Sequence, residues 1–164
     1  MRSDSVVIIP TYNEKENIEN IIRAVFGLEQ PFDMLIIDDG SPDGTAAIVK
    51  RLMADEFKDR LHLIERTGKL GLGTAYIAGF KWAVAQKYDY VFEMDADFSH
   101  NPNDLPRLYA ACAQEGVRRG HRVALRERGE RGELAHGAHP NVLLRLQIRA
   151  HHHGAEDKRH HGRL

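Results

Sequence analysis

The chain has 164 residues, enough for one ordinary domain and too few for two of average size. Its net charge of -1 argues against a nucleic-acid-binding protein, and its 42% apolar content argues against wholesale disorder. The single cysteine, Cys112, excludes an intramolecular disulfide framework and favours a reducing compartment. Apolar runs such as Val6 to Pro10 are too short to span a bilayer, and no signal peptide is predicted at the amino terminus.

Composition divides the chain into two predicted regions. All 12 aromatic residues precede position 110, and residues 117–164 contain none. The same segment carries 11 Lys and Arg against 5 Asp and Glu, together with 8 of the 10 His. Such a segment lacks the apolar side chains that a core of its own needs. We therefore predict a foldable acidic region over 1–116 and a poorly ordered, basic, Arg- and His-rich region over 117–164.

Strands and helices are predicted to alternate through the first region. Apolar, β-branched runs predict strands at Ser5–Pro10, Phe32–Ile37, Leu61–Ile64 and Tyr88–Met94. Helical spacing predicts one helix capped by Asn13 with Glu16 in a capping box, and further helices over Thr45–Met53, Thr74–Gln86 and Asn103–Gln114. Such alternation indicates βαβ units and a parallel sheet, in which ligands bind at the carboxyl ends of the strands.

Asp95 and Asp97 directly follow the last predicted strand. Two carboxylates that leave a buried strand can hold a hard divalent cation, which prefers oxygen ligands and bridges phosphates. A turn with a helix N-cap explains the same pattern, because Asp is common in both. The pattern alone therefore leaves a metal site and a simple turn open.

Two other polar segments are equally ambiguous. Asp38, Asp39 and Asp43 crowd the end of the second strand, where they either accept from ribose hydroxyls and base N–H groups or form a solvated turn. The segment 66–73 is rich in glycine and precedes a helix, so it either approaches a phosphate closely or is a plain connection. Arg66 and Lys69 add positive charge there, but the spacing fits neither a Walker motif nor G-x-G-x-x-G.

His100 and Cys112 are predicted to be structural. A lone histidine after a turn is more often structural than a ligand. Cys112 shares an apolar helical face with Leu105, Leu108 and Tyr109, which favours a core position over a nucleophile.

Four segments, taken in order, resemble the motifs of one enzyme family. PTYNE (Pro10 to Glu14), IDDGSPDGT (Ile37 to Thr45), KLGLGTAY (Lys69 to Tyr76) and MDADFSHNP (Met94 to Pro102) together resemble polyprenyl-phosphate (dolichyl-phosphate) mannose synthases. These enzymes are inverting family 2 glycosyltransferases. The resemblance covers essentially all of 1–116 and implies an α/β, Rossmann-like GT-A fold with a mostly parallel sheet, whose carboxyl-terminal part is incomplete here.

The resemblance also implies the site residues. The pocket for the nucleotide base and ribose would be lined by Pro10, Tyr12, Glu14, Ile37 and Asp39. The loop around Lys69 and Gly71 would close on the nucleotide sugar. The ribose and diphosphate would be met by Asp95, Ala96 and Asp97. Asp95 and Asp97 would be the catalytic and metal-binding pair, with Asp97 as the principal ligand of Mg²⁺ or Mn²⁺.

The reaction implied is mannosyl transfer from GDP-mannose to a polyprenyl phosphate with inversion. The acceptor phosphate, with a second pKa of ~6, is largely anionic at neutral pH and needs little help from a general base. A cytoplasmic location is expected, since the single cysteine suits a reducing compartment, and the lipid acceptor implies a peripheral position at the membrane face. Two alternatives stay open: another family 2 enzyme with a UDP-sugar donor, and a non-catalytic nucleotide-binding module.

The resemblance ends after Gly116. The family continues with Gly-Ser-Arg-Tyr, whose Arg contacts the donor, and then with Asn-Trp-Pro and Asp-Thr-Thr-Ala-Gly-Phe, none of which occurs in 117–164. Codons can be chosen for 117–164 that encode all of these motifs in order when the reading window moves by one base. We therefore hypothesise a frameshift, which would make the histidine clusters accidental and leave weak nucleotide binding with little or no transfer.

Overall fold

A computed structural model describes residues 3–118 and 146–147 of the chain. Its strands are β1 (Ser5–Thr11), β2 (Asp33–Asp38), β3 (Leu61–Glu65), β4 (Tyr90–Glu93) and β5 (Leu146–Gln147). Its helices are α1 (Ile18–Phe26), α2 (Thr45–Asp55), α3 (Leu72–Ala85) and α4 (Leu105–Arg118), with a 3-10 turn at Pro102–Asp104. The predicted alternation of strands and helices is confirmed.

The strands form one sheet in the order β3-β2-β1-β4-β5. β1 to β4 are parallel, as predicted, and the two-residue β5 pairs antiparallel with Tyr90 and Val91 of β4. The chain proceeds from β1 through β2 to β3 on one side and then places β4 on the other side of β1. Such a reversal of strand order opens a crevice at the carboxyl ends of β1 and β4, where ligands bind in sheets of this kind.

The central strands are buried on both faces, as their continuous apolar runs predict. Every residue of β2 is buried, and so is every residue of β1 except Pro10. One face packs against α1, α2 and α4, and the other packs against α3. Cys112 is buried in the first of these layers, which confirms its predicted core position.

Helix α3 lies close to the sheet because small residues face it. Ala75, Gly79 and Ala83 are its buried positions. A Cβ atom at Gly79 would come within 2.8 Å of the Ile8 side chain and 2.9 Å of the Ile37 side chain. No helix within the described part of the chain is long and apolar enough to cross a membrane.

The prediction that Asn13 caps the first helix was wrong. Helix α1 begins at Ile18, and Asn13 lies in the left-handed region with a φ of 60°. The backbone N–H of Asn13 instead donates to Ser41 Oγ at 2.9 Å. This bond joins the segment after β1 to the loop after β2. Its acceptor, Ser41, is 28 positions away in the chain, so no local pattern could predict it.

The amino end of the sheet closes around Asp33, which is fully buried. Its Oδ2 accepts from the Ser3 backbone N–H at 3.2 Å and from the Tyr88 hydroxyl at 2.9 Å. Arg60 Nε lies 3.5 Å from Asp33 Oδ1, but neither of these two atoms has a hydrogen-bond partner among the described residues. The arrangement is a closed polar cluster at the opposite end of the strands from the crevice.

The predicted poor order of residues 117–164 stays a prediction. Residues 119–145 and 148–164 lie outside the described residues, and so do the histidine clusters of that segment. Of the region predicted to be poorly ordered, the structure describes the end of α4 and the short strand β5.

Candidate functional site

The crowded aspartates after β2 have separate partners. Asp38 is buried, and its carboxylate accepts from the Thr11 hydroxyl at 3.0 Å, from the Ser41 hydroxyl at 2.6 Å and from the Ser41 backbone N–H at 2.9 Å. These donors relieve the repulsion that three nearby carboxylates would otherwise cause. Asp38 therefore organises the turn and joins it to the end of β1.

Asp43 fixes the start of α2. Its Oδ1 accepts from the Thr45 backbone N–H at 2.9 Å and from the Thr45 hydroxyl at 2.6 Å, and its Oδ2 accepts from the Lys15 N–H at 3.0 Å. Burial raises the pKa of Asp43, but these hydrogen bonds outweigh it and lower the pKa overall. The Thr45 hydroxyl lies 3.0 Å from the Glu14 backbone N–H. The loops after β1 and β2 are thus joined into one unit.

Asp39 is paired with Arg66 of the loop after β3. Arg66 Nε donates to Asp39 Oδ1 and Arg66 Nη2 donates to Asp39 Oδ2, each at 2.6 Å. Both side chains are about nine-tenths buried, with exposed fractions of 10% and 9%. A bidentate pair of this kind is among the strongest polar contacts in proteins. The sequence suggested that Arg66 adds free charge for an anion, whereas its guanidinium is occupied by Asp39.

The glycine-rich loop is anchored at both of its ends. Arg66 Nη1 lies 2.8 Å from the Thr74 hydroxyl, and that hydroxyl lies 2.7 Å from the Gly71 carbonyl oxygen. Gly71 has a φ of 94°, which few residues other than glycine adopt. Between these anchors Lys69 extends across to the loop after β1, where its Nζ lies 4.9 Å from the centre of the Tyr12 ring.

Asp95 and Asp97 lie in the loop after β4, on the other side of the crevice. Asp97 is exposed, and hydrogen bonds from the Ser99 hydroxyl and backbone N–H lower its pKa, so it is ionised at neutral pH. Asp95 is half-buried, and the Tyr76 hydroxyl donates to its Oδ1 at 3.5 Å. Burial and the neighbouring acids raise the pKa of Tyr76, so its hydroxyl stays a donor.

His100 supports the loop that carries the two aspartates. The Asp95 backbone N–H donates to His100 Nδ1 at 3.2 Å, which requires a lone pair on Nδ1. The structural role predicted for His100 is thus consistent with this contact. Phe98, which lies between Asp97 and His100 in the chain, has a φ of 61° and an exposed fraction of 43%.

Glu93 is the last residue of β4 and stands next to this loop. Burial, with a smaller contribution from the charge of Asp95, raises its pKa to about 7. No pattern in the sequence distinguishes Glu93, because a single acid at a strand end is common.

The donor set fits a hard divalent cation. Among the described residues no group of three or more His, Cys, Asp and Glu side chains converges on one point. Mg²⁺ is commonly bound by one or two carboxylates, with substrate phosphates and water as the remaining ligands. Asp95 and Asp97 could supply those carboxylates, so the residues present suit a metal that arrives with a diphosphate.

The other residues implied by the resemblance divide between surface and core. Pro10 and Glu14 are partly buried, Tyr12 and Lys69 are exposed, and Asp39 is buried beside them. Ile37 and Ala96 are buried in the two core layers. The sequence missed the contacts of Arg66, Thr74 and Tyr76, because each joins residues that are distant in the chain or in different elements.

Comparison with known proteins identifies one family. The family model described as Glycosyl transferase family 2 matches residues 6–141. Its match extends past Gly116, where the resemblance by individual motifs ends. The strand order, the parallel sheet and the helices on both faces agree with the implied fold.

Two curated relatives have informative names. The chain is 49% identical over 108 residues to a polyprenol monophosphomannose synthase from Mycolicibacterium smegmatis, covering 65% of this chain and 40% of that protein. It is 44% identical over 106 residues to an undecaprenyl-phosphate mannosyltransferase from Micrococcus luteus, covering 65% of this chain and 43% of that protein. The matches therefore span less than half the length of these relatives.

A solved structure is also similar. It is a mannosyltransferase from Pyrobaculum calidifontis in complex with GDP-Man and Mn²⁺. The identity is 29% and the TM-score is 0.53, over 59% of this chain and 28% of that one.

Proposed function

Because the chain belongs to glycosyltransferase family 2, we propose that it binds a nucleoside-diphosphate sugar at the carboxyl edge of its sheet, for transfer of mannose to a polyprenyl phosphate. The names of its relatives support a mannosyl group and a polyprenyl phosphate acceptor. The GDP-Man bound to the similar solved structure supports GDP-mannose as the donor. The acceptor is a lipid, so the reaction takes place at a membrane surface.

The observation that carries the proposal is the placement of polar groups around the crevice. Tyr12, Asp39 and Lys69 lie on one side, on loops that are hydrogen-bonded or stacked together. Asp95 and Asp97 lie on the other side, after β4. An aromatic ring, a carboxylate and a cation suit a base, its N–H groups and a phosphate, while the two aspartates suit a metal bound to the diphosphate.

We assign the metal to Asp97, with Asp95 as a second ligand. Mg²⁺ or Mn²⁺ bound there would neutralise the negative charge that develops on the departing diphosphate. Ser99 holds the Asp97 carboxylate by two hydrogen bonds, and Tyr76 and His100 hold Asp95. The contacts of Ser99 and Tyr76 orient the two carboxylates before any ligand arrives, and the contact of His100 fixes the Asp95 backbone.

The proposed mannosyl transfer is a single displacement at the anomeric carbon. An oxygen of the acceptor phosphate forms a bond to the anomeric carbon of mannose, while the bond from that carbon to the β-phosphate oxygen of GDP breaks. The electron pair leaves on the GDP oxygen, and attack from the opposite face inverts the anomeric configuration. This chain contributes positioning and electrostatic stabilisation to such a step.

We also propose that residues 117–164 result from a one-base shift of the reading frame. The aromatic-free composition supports this origin, and so does the existence of a codon choice for 117–164 that encodes the family motifs in the shifted frame. On this view the chain retains the nucleotide and metal half of the site and lacks the donor-contacting Arg and the acceptor-binding part. A matched pair of proteins tests it: the chain as given, and the product of the same gene with one base inserted or deleted to restore the frame. Mannosyl transfer only by the restored protein is expected, and equal transfer by both would contradict it.

Calorimetry with GDP tests the binding site itself. We expect the full chain to bind GDP in the presence of Mn²⁺ and to lose more than about 10-fold in affinity when Mn²⁺ is omitted or Asp97 is changed to Asn. UDP is the competing ligand, and tighter binding of UDP would favour a UDP-sugar enzyme. A folded chain that binds neither nucleotide would contradict the proposal.

A further inference from the structure

We propose that Arg66 is a positioning residue that prepares Asp39 for the nucleobase. The inference rests on the proposed function and assigns to Arg66 a role that acts through Asp39. Both side chains are about nine-tenths buried, with exposed fractions of 10% and 9%, so neither is a solvated surface group.

All three guanidinium nitrogens of Arg66 are in use. Nε and Nη2 contact the two oxygens of Asp39 at 2.6 Å, and Nη1 contacts the Thr74 hydroxyl at 2.8 Å. Thr74 lies in the first turn of α3, so one planar group joins the loop after β2 to the start of that helix. Lysine carries a single nitrogen at a point and cannot reproduce this fork.

The backbone of Arg66 is fixed as firmly as its side chain. Its N–H donates to the Asp38 carbonyl oxygen at 2.8 Å. A Cβ atom at Gly40 would approach the Arg66 carbonyl oxygen to 3.2 Å, and Gly40 has a φ of 71°. The close passage of the two loops therefore depends on glycine at position 40 and determines where the guanidinium lies.

The pairing leaves Asp39 able to receive a ligand. A carboxylate oxygen has two lone pairs, so each oxygen that accepts from Arg66 can accept one more hydrogen bond. Guanine offers a ring N–H and an exocyclic amino group, which match two carboxylate oxygens. The positive charge of Arg66 also offsets the negative charge of Asp39. This carboxylate therefore repels an anionic diphosphate less than an unpaired one would.

The test compares Arg66→Lys with Arg60→Lys in the full chain. Arg60 is a matched control, because it faces Asp33 at the opposite end of β2. For each variant we would measure dissociation constants for GDP with Mn²⁺, for inorganic pyrophosphate with Mn²⁺, and for Mn²⁺ alone. Pyrophosphate lacks a base, so it reports on the metal and phosphate contacts only.

We expect Arg66→Lys to weaken GDP binding by about 10-fold or more and to change pyrophosphate and Mn²⁺ binding by less than about 2-fold. Arg60→Lys should leave all three constants unchanged. Equal GDP binding by wild type and Arg66→Lys would overturn the inference, and so would a uniform loss for all three ligands. Failure of the wild type to bind GDP would instead overturn the proposed function.

A second pair of variants covers the case in which Arg66→Lys does not fold. Thr74→Val removes the third contact of the guanidinium, and Thr74→Ser retains the hydroxyl. We expect GDP binding to weaken several-fold in Thr74→Val and to recover in Thr74→Ser, with pyrophosphate binding constant in both. Unchanged GDP binding in Thr74→Val would count against the positioning role assigned to Arg66.

Discussion

An aspartate faces an arginine at each end of β2, but the two pairs make different contacts. Asp33 at the amino end faces Arg60 across 3.5 Å without a hydrogen bond between those atoms, and it accepts from buried interior donors. Asp39 after the carboxyl end has two 2.6 Å bonds from Arg66 and lies among glycine-rich loops. Stability is therefore expected to depend on the first end, and ligand binding on the second.

The largest effect on this comparison should come from Asp33→Ala. The substitution removes the carboxylate that accepts from the Ser3 N–H and from the Tyr88 hydroxyl, and the loss of a buried hydrogen-bond partner costs about 1–3 kcal/mol. We expect the free energy of unfolding, measured in urea, to fall by about 3 kcal/mol. Asp33→Asn keeps an acceptor oxygen and should cost less. A fall as large in Asp39→Asn as in Asp33→Ala would show that the two ends do not differ in stability.

Tyr88→Phe should have a smaller effect at the same end. It removes one hydroxyl and leaves the ring in place, so Asp33 loses one of its donors. The expected loss is about 1–2 kcal/mol in the free energy of unfolding. Affinity for GDP should not change, and a parallel loss of GDP binding would contradict the separation of the two ends.

Lys69→Met should act mainly on binding. Exposed cation–π contacts such as that of Lys69 with Tyr12 contribute about 0.5–1 kcal/mol, so little stability is lost. GDP affinity should fall several-fold, because a cation beside the diphosphate is removed. Calorimetry and urea unfolding on the same preparation separate the two effects, and Lys81→Met on the exposed side of α3 is the control.

The smallest expected effect is the contribution of Glu93 to the pH dependence of stability in the metal-free protein. Its pKa of about 7 in the folded chain lies above the ordinary value of 4.5, so the folded state binds the proton more tightly. Stability is therefore highest below the ordinary pKa and declines as the pH rises towards 7, with a shallow slope because the group is only half-buried. Glu93→Gln should flatten this part of the curve of stability against pH. An unchanged curve would show that another group titrates.

Much of the fold could be predicted from local patterns. The continuous apolar runs of β1 and β2 predict strands that are buried on both faces, and the helical spacing of apolar residues predicts the helices. The N-cap at Asn13 failed because a tertiary contact with Ser41 overrides the local preference. The pairing of Arg66 with Asp39 spans 27 positions, so no local pattern could reveal it.

The sequence could predict which segments form the candidate site, but it could not predict the contacts between the side chains of those segments. The resemblance identified which loops carry the polar groups, since their order along the chain matches the family. Which aspartate organises the turn and which is paired with an arginine depends on distances across the sheet. Asp38 and Asp39 are neighbours in sequence, but the donors to their carboxylates differ.

The most direct test is to record backbone amide NMR spectra of the full chain with GDP and Mg²⁺, and then with Mn²⁺ in place of Mg²⁺. We expect shifts at amides near Tyr12, Asp39 and Lys69, paramagnetic broadening centred on Asp97, and no change near Asp33 and Tyr88. Shifts confined to the amino end, or broadening away from the loop after β4, would contradict the assignment of the carboxyl edge as a nucleoside-diphosphate and metal site.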